Sequence, residues 1–273
     1  MGRPGLQIVR HWASLGPRFL PFADVATAEV PLSRLLRLSL FQVSVGMAMV
    51  LLMGTLNRVM IVELKVPASL VAIMVSLPVL YAPLRALVGF KSDNHKAALG
   101  WRRVPYIWHG TLLQFGGLAI MPWALLVLSG GGDAVNWPLW MGQLGAGLAF
   151  LLVGAGLHTV QTAGLALATD LTAEKDQPKV VGLMYVMLLV GTIASATVFG
   201  SVLTTYTPGK LVQVIQASAV ITLVLNSISL WKQESRHTAR VAQRTAEPSF
   251  RQSWRHFIAN PGAKARLWVI ALG

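Results

Sequence analysis

GFKSDNHKAALGWRRVPY, residues 89–106, is a polar stretch set between two long apolar runs. It carries Lys91, Lys96, Arg102 and Arg103 against the single acid Asp93, more charge than a hydrocarbon layer accepts. The stretch therefore marks one face of a membrane, and the helices on either side of it begin or end there.

Outward in both directions, apolar runs of about 20 residues recur, each long enough to cross a ~30 Å hydrocarbon core as a helix. The expected spans are 38–57, 68–90, 104–128, a fourth that begins after Trp137 and Trp140 and closes at Asp170, then 180–204 and 211–231. Pro67 suits a first helical turn, whereas Pro78 and Pro83 should kink the second span. The fourth span is rich in glycine, including Gly142, Gly145, Gly154, Gly156 and Gly164, and small residues let helices approach closely in lipid. Gly46 and Gly54 are expected to serve the same purpose in the first span. Ten-residue alternating patterns, the mark of a membrane β-barrel, do not occur.

Composition agrees with this reading. The 273 residues are 54% hydrophobic and only 12% charged, far from the balance of a soluble domain. There is no cysteine, which excludes disulfides, thiolate metal sites and cysteine nucleophiles. The net charge of +13 comes from basic residues in the loops, not from a nucleic-acid-binding motif, so nucleic acid is not an expected partner. Of the Lys and Arg residues, about 19 fall on the side of the N-terminus and the even-numbered loops, against about 3 on the other, which orients that side to the cytoplasm.

The chain then divides into a cytoplasmic N-terminal segment (1–34), a six-span bundle (35–232), a basic cytoplasmic loop (233–262) and the start of a seventh span (263–273). In the first segment, Ile8, Trp12, Leu15 and Phe19 recur at helical spacing among Arg3, Arg10 and Arg18. Either a short helix on the anionic membrane surface or a loosely ordered tail fits them. Six spans and a long loop before a seventh is the layout of half a two-times-six-helix transporter.

Three places carry candidate chemistry. Arg85 lies inside the second span, where a charge marks either function or a side chain snorkelling to the surface. Asp170, at the end of the fourth span, can pair with Lys175 or Lys179, or with the arginines at 102 and 103. In GAGLHTVQTAGLALATDL (154–171), His158, Gln161 and Thr162 share a helical face, and the glycines beside them leave room for a flat ligand or a neighbouring helix. His158 is then either an axial ligand for a tetrapyrrole-held metal or a histidine hydrogen-bonded to another helix. His109 is a second candidate, nearer the surface. Walker, HExxH and GxSxG motifs are absent and no paired carboxylates lie within the spans, so no enzymatic activity is expected.

The skeleton Gly89, Asp93, Gly100, Trp101, Arg102, Arg103 resembles the cytoplasmic signature of major-facilitator transporters, with extra residues before the second glycine. The resemblance implies a charge network in which Asp93 and Arg102 or Arg103 lock one conformation; for Lys91 and Lys96, plain positive-inside anchoring is the simpler role. Three longer stretches, LRLSLFQVSVGMAMVLLMGTLNRVMIVEL (36–64), GFKSDNHKAALGWRRVPYIWHGTLLQFGGLAIMP (89–122) and HTVQTAGLALATDL (158–171), are similar to the PucC and LhaA type of bacteriochlorophyll-delivery proteins, a branch of the major facilitator superfamily. The similarity covers 35–232.

It implies an all-α integral membrane protein, the six-helix N-terminal half of a major-facilitator fold plus the start of a seventh span, where the family has about twelve. It further implies an assembly factor in the inner photosynthetic membrane that holds or delivers bacteriochlorophyll. Its partners would be light-harvesting antenna polypeptides, the reaction centre and membrane lipid, with bound lipid as a second candidate ligand. Matching positions are Asn57, Arg58, Arg85, Asp93, Trp101, Arg102, Arg103, His158, Gln161 and Asp170, and the family context favours pigment ligation at His158. A secondary transporter of a small solute or pigment precursor, or a structural subunit of an antenna complex, are the alternatives.

Overall fold

The computed structural model describes residues 30–93, 101–233 and 250–260, with 262, 263, 265, 266 and 269. Most of the expected N-terminal segment, Lys96 and Gly100 of the polar stretch, 234–249 of the basic loop and most of the seventh span lie outside the described residues. Among the described residues there is no strand. Six helices among the described residues are long and apolar enough to cross a membrane: Leu32–Val62, Ala68–Asp93, Val104–Ser129, Leu139–Asp170, Glu174–Val202 and Pro208–Leu230. The protein is an all-α membrane protein.

The first span joins α1 (Leu32–Leu38), α2 (Leu40–Met49), a π-helical stretch Val50–Leu56 and α3 (Asn57–Val62). It starts earlier than hydropathy alone places it, because Arg34 and Arg37 continue the helix into the polar boundary. Arg34 bonds the Gln233 side chain and carbonyl, tying the start of this span to the end of the sixth. The wider π turn also changes which residues face the bundle. A Cβ at Gly46 would press on the backbone of Leu188 and Thr192, whereas Gly54 has nothing within 4 Å, so the expectation of close packing holds at Gly46 and is corrected at Gly54.

In the second span, Pro78 and Pro83 act as their chemistry requires. α4 (Ala68–Leu80) gives way to a tight 3-10 turn, Ala82–Leu84, and resumes as α5 (Arg85–Asp93). α6 (Val104–Ser129) ends on Gly130 at φ +62°, the left-handed cap that glycine adopts without strain. α7 (Leu139–Asp170), α8 (Gln177–Val202) and α9 (Pro208–Leu230) complete the bundle. The expected basic loop contains a further helix, α10 (Phe250–Ala259).

The first span is the central one: 67% of its most apolar part is buried, against 17% for the second. Two apolar clusters fill the bundle, one holding Leu52, Leu56, Leu118, Phe150 and Ile215, the other Leu38, Phe41, Ile107, Val160 and Leu183. Near their junction Ser44 donates to Asn226 Oδ1 at 2.7 Å, and Asn226 Nδ2 donates to Thr111 Oγ1 at 2.8 Å. This triad links the first, sixth and third spans. Ser44 and Thr111 also bond their own helix backbones, so Asn226→Leu strands no hydroxyl and is expected to cost only about 1 kcal/mol. Unfolding in mixed micelles measures that loss, and an unchanged midpoint would show the triad to be energetically idle.

Candidate functional site

The kink of the second span is what builds the site. Pro78 seats on Gly154, where a Cβ would come within 2.5 Å of the proline ring; no larger residue at 154 admits this contact. With that register set, the two helices run side by side in the same direction, and residues four apart on each face one another. Tyr81 lies along His158 with ring centroids 6.4 Å apart and planes 12° from parallel, and its hydroxyl is 3.3 Å from Thr159 Oγ1. One turn on, Arg85 Nε donates to Thr162 Oγ1 at 3.1 Å. Gly89 then faces the Thr162 methyl group.

At the end of this seam the charges gather. Arg103, 6% exposed, reaches Asp93 Oδ1 through Nη1 and Asp170 Oδ2 through Nε, both at 2.6 Å. The same Nη1 lies 3.3 Å from Ser92 Oγ. Arg102 Nη2 meets Asp170 Oδ2 at 2.7 Å from a more open position. Burial by itself lowers the pKa of the Arg103 guanidinium, but the hydrogen bond and charge of Asp170, followed by those of Asp93, outweigh it and hold the pKa above its ordinary value. One buried cation therefore joins the ends of the second, third and fourth spans.

The two readings left open for Asp170 are thereby decided geometrically. It pairs with Arg102 and Arg103, while Lys179 turns to Asp176 at 3.7 Å. Asp93 pairs with Arg103. Arg85, the in-span cation, is engaged with a hydroxyl of the next helix.

His158, Gln161 and Thr162 do share a face, and all three are half-buried on a stripe that continues through Leu165, Ala166 and Thr169. His158 Nδ1 is sealed from solvent and meets no hydrogen-bond partner. The room expected beside the glycines is already taken: Gly154 by Pro78, Gly156 by Gly110 and Gln114, and Gly164 by the Phe41 ring. Any ligand must therefore approach from the half-open stripe instead. His109 sits apart from this arrangement, exposed, with its Nδ1 2.6 Å from the Pro105 carbonyl one turn back. Among the described residues no three His, Asp or Glu side chains cluster as a metal site.

The family model described as PUCC protein matches residues 55–273. The chain belongs to the PUCC protein family. Protein PucC of Rhodovulum sulfidophilum is 64% identical over 276 residues, covering 100% of this chain and 61% of the relative. Protein PucC of Rhodobacter capsulatus is 62% identical over 267 residues, covering 97% and 58%. A more distant relative, the bacteriochlorophyll synthase 44.5 kDa chain of Rhodobacter capsulatus, is 27% identical over 241 residues, covering 88% and 53%. The chain thus spans about three fifths of the length of the PucC proteins it matches. No solved structure gives a significant match.

In this PUCC-family chain, sequence reasoning missed Tyr81, Thr159 and Ser92. The signal for Tyr81 was present: Tyr81, Arg85, Gly89 and Asp93 repeat every fourth residue, one stripe of a helix. Ser92 and Thr159 gave none, since short hydroxyl side chains in membrane helices commonly bond their own backbone, as both also do here.

Proposed function

We propose that this PUCC-family chain is the membrane bundle of a non-enzymatic assembly factor for photosynthetic complexes, which holds or delivers bacteriochlorophyll for antenna polypeptides. The observation that carries the reading is His158: an imidazole in mid-span on a half-open stripe, its Nδ1 sealed inside and its other ring nitrogen the one that a ligand approaching along the stripe would meet. Identity to PucC proteins over the whole chain and the bacteriochlorophyll-related name of a more distant relative support it.

The residues present suit such a group. Bacteriochlorophyll would supply a magnesium that takes a nitrogen donor and a broad apolar ring. His158 would hold that magnesium through a ring nitrogen, and Tyr81, fixed by Thr159, limits how far the imidazole can turn. Gln161 and the Arg85–Thr162 pair present polar groups on the same face, and Leu144, Leu148 and Leu151 leave the outer half of the helix exposed and apolar. On this reading the Arg103 cluster latches the helix ends in one conformation of a major-facilitator half. The N-terminus lies in the cytoplasm of a bacterial inner membrane, and antenna polypeptides and the reaction centre are the partners.

The test is gentle purification from phototrophic membranes, with an absorption spectrum and a subunit census, beside His158→Ala. The native chain is expected to bring both bacteriochlorophyll and antenna polypeptides, and the variant to lose pigment at least several-fold while keeping the polypeptides. Equal pigment in both would make His158 structural and overturn ligation. A native preparation without pigment or antenna polypeptides would overturn the assembly role and favour a transporter.

A further inference from the structure

The sequence of α10, FRQSWRHFIA, turns by 100° per residue. Phe250, Trp254, Phe257 and Ile258 then fall on one arc, and Arg251, Gln252, Arg255 and His256 on the other. The helix holds no acid. Its rings form a continuous strip: Phe250 and Trp254 stack at 6.0 Å and 18°, Trp254 and Phe257 at 5.9 Å and 29°.

The strip is tied to the bundle at one end. Phe250 meets Phe90 edge to face, centroids 5.3 Å apart, and Phe90 lies three residues before Asp93, where the second span leaves its apolar region. That contact sets α10 at the depth where lipid headgroups begin. Beyond it the aromatic face is uncovered, with Trp254 41% and Phe257 40% exposed. Large rings at such a depth, bordered by arginines whose stems can lie along an apolar surface, match the acyl-chain boundary on one side and anionic phosphates on the other.

We propose that α10 lies in the plane of the membrane, its Phe250–Trp254–Phe257 face in the acyl boundary and Arg251 and Arg255 on the headgroups of anionic phospholipid. The helix is thus a lipid-binding element joined through Phe90 to the second span. It stands independently of the pigment-holding role.

Because the chain has no cysteine, single nitroxide labels report on it cleanly. Phe257→Cys and Ala259→Cys place a label on opposite faces of α10. In the full chain, reconstituted in vesicles of phosphatidylcholine with phosphatidylglycerol, the label at 257 is expected to collide several-fold more with oxygen than with a water-soluble nickel chelate. The label at 259 should show the reverse. The contrast should shrink when Arg251→Gln and Arg255→Gln are combined, or when phosphatidylglycerol is omitted. Free access of the nickel reagent at 257 would overturn membrane insertion; shielding from both reagents would mean a protein cover and overturn it equally. A contrast unchanged without phosphatidylglycerol would overturn the preference for anionic lipid.

Discussion

Arg103→Ala is expected to destabilise the bundle by about 1–2 kcal/mol, because the cation is buried while the carboxylates it leaves, Asp93 and Asp170, are 52% and 35% exposed and can rehydrate. Its guanidinium contacts both acids, Asp93 at the end of the second span and Asp170 at the end of the fourth. Arg102 also bonds Asp170 but from a position 36% exposed, so Arg102→Ala should cost less than about 1 kcal/mol. Arg103→Lys should fall between them, because an ammonium cannot reproduce the fork that reaches two carboxylates at once. Denaturant titration in detergent would rank the three. Equal losses for Arg102→Ala and Arg103→Ala would refute the central place given to Arg103. The sign of the pH dependence follows from the raised pKa: the Arg103 contribution is full below the unfolded value and lost only as pH climbs through the still higher folded one. No loss from this residue is expected on passing from neutral to moderately alkaline solution.

Gly156→Leu should be more damaging still, preventing assembly of the hairpin formed by the third and fourth spans. A Cβ at 156 would stand 2.5 Å from the Gly110 carbonyl and 2.6 Å from the Gln114 amide. These are backbone atoms of a helix, which can yield only if the whole span moves away. Gly110 and Gly117 meet α7 in the same way, so separation at one point loosens the length of the contact, and a cost above about 3 kcal/mol is expected. Gly116 provides the control. With nothing within 4 Å of its Cβ position, Gly116→Ala should be neutral or stabilise the helix by up to about 1 kcal/mol. Yield of monodisperse protein and the unfolding midpoint would separate the two, and a well-folded Gly156→Leu chain would contradict the packing described.

The two glycines also show what the sequence could and could not convey. Hydropathy located six spans because burial in lipid demands long uncharged runs, and the prolines located the kink. Neither reveals what a glycine meets: Gly116 and Gly117 are adjacent, yet one faces open space and the other the backbone of Ala149. The charge cluster was legible as a set of residues, but the choice of Asp170 between lysines and arginines depends on where the helix ends converge. Gln42 and Gln114, buried without hydrogen-bond partners, look like ordinary polar interruptions in the chain. α10 went unread because its arginines signal a loop when charge is considered before period; taken at 3.6 residues per turn, its aromatic strip is visible.

The seam between the second and fourth spans can also be viewed as a code for alignment. Its successive turns match in different currencies of contact: a ring in a missing side chain at Pro78 and Gly154, ring beside ring at Tyr81 and His158, cation to hydroxyl at Arg85 and Thr162. A slide by one helical turn, about 5.4 Å, would mispair all of them together. The two helices are therefore keyed against axial slippage, and motion between them must be a hinge about the seam, opening one end while the other stays engaged.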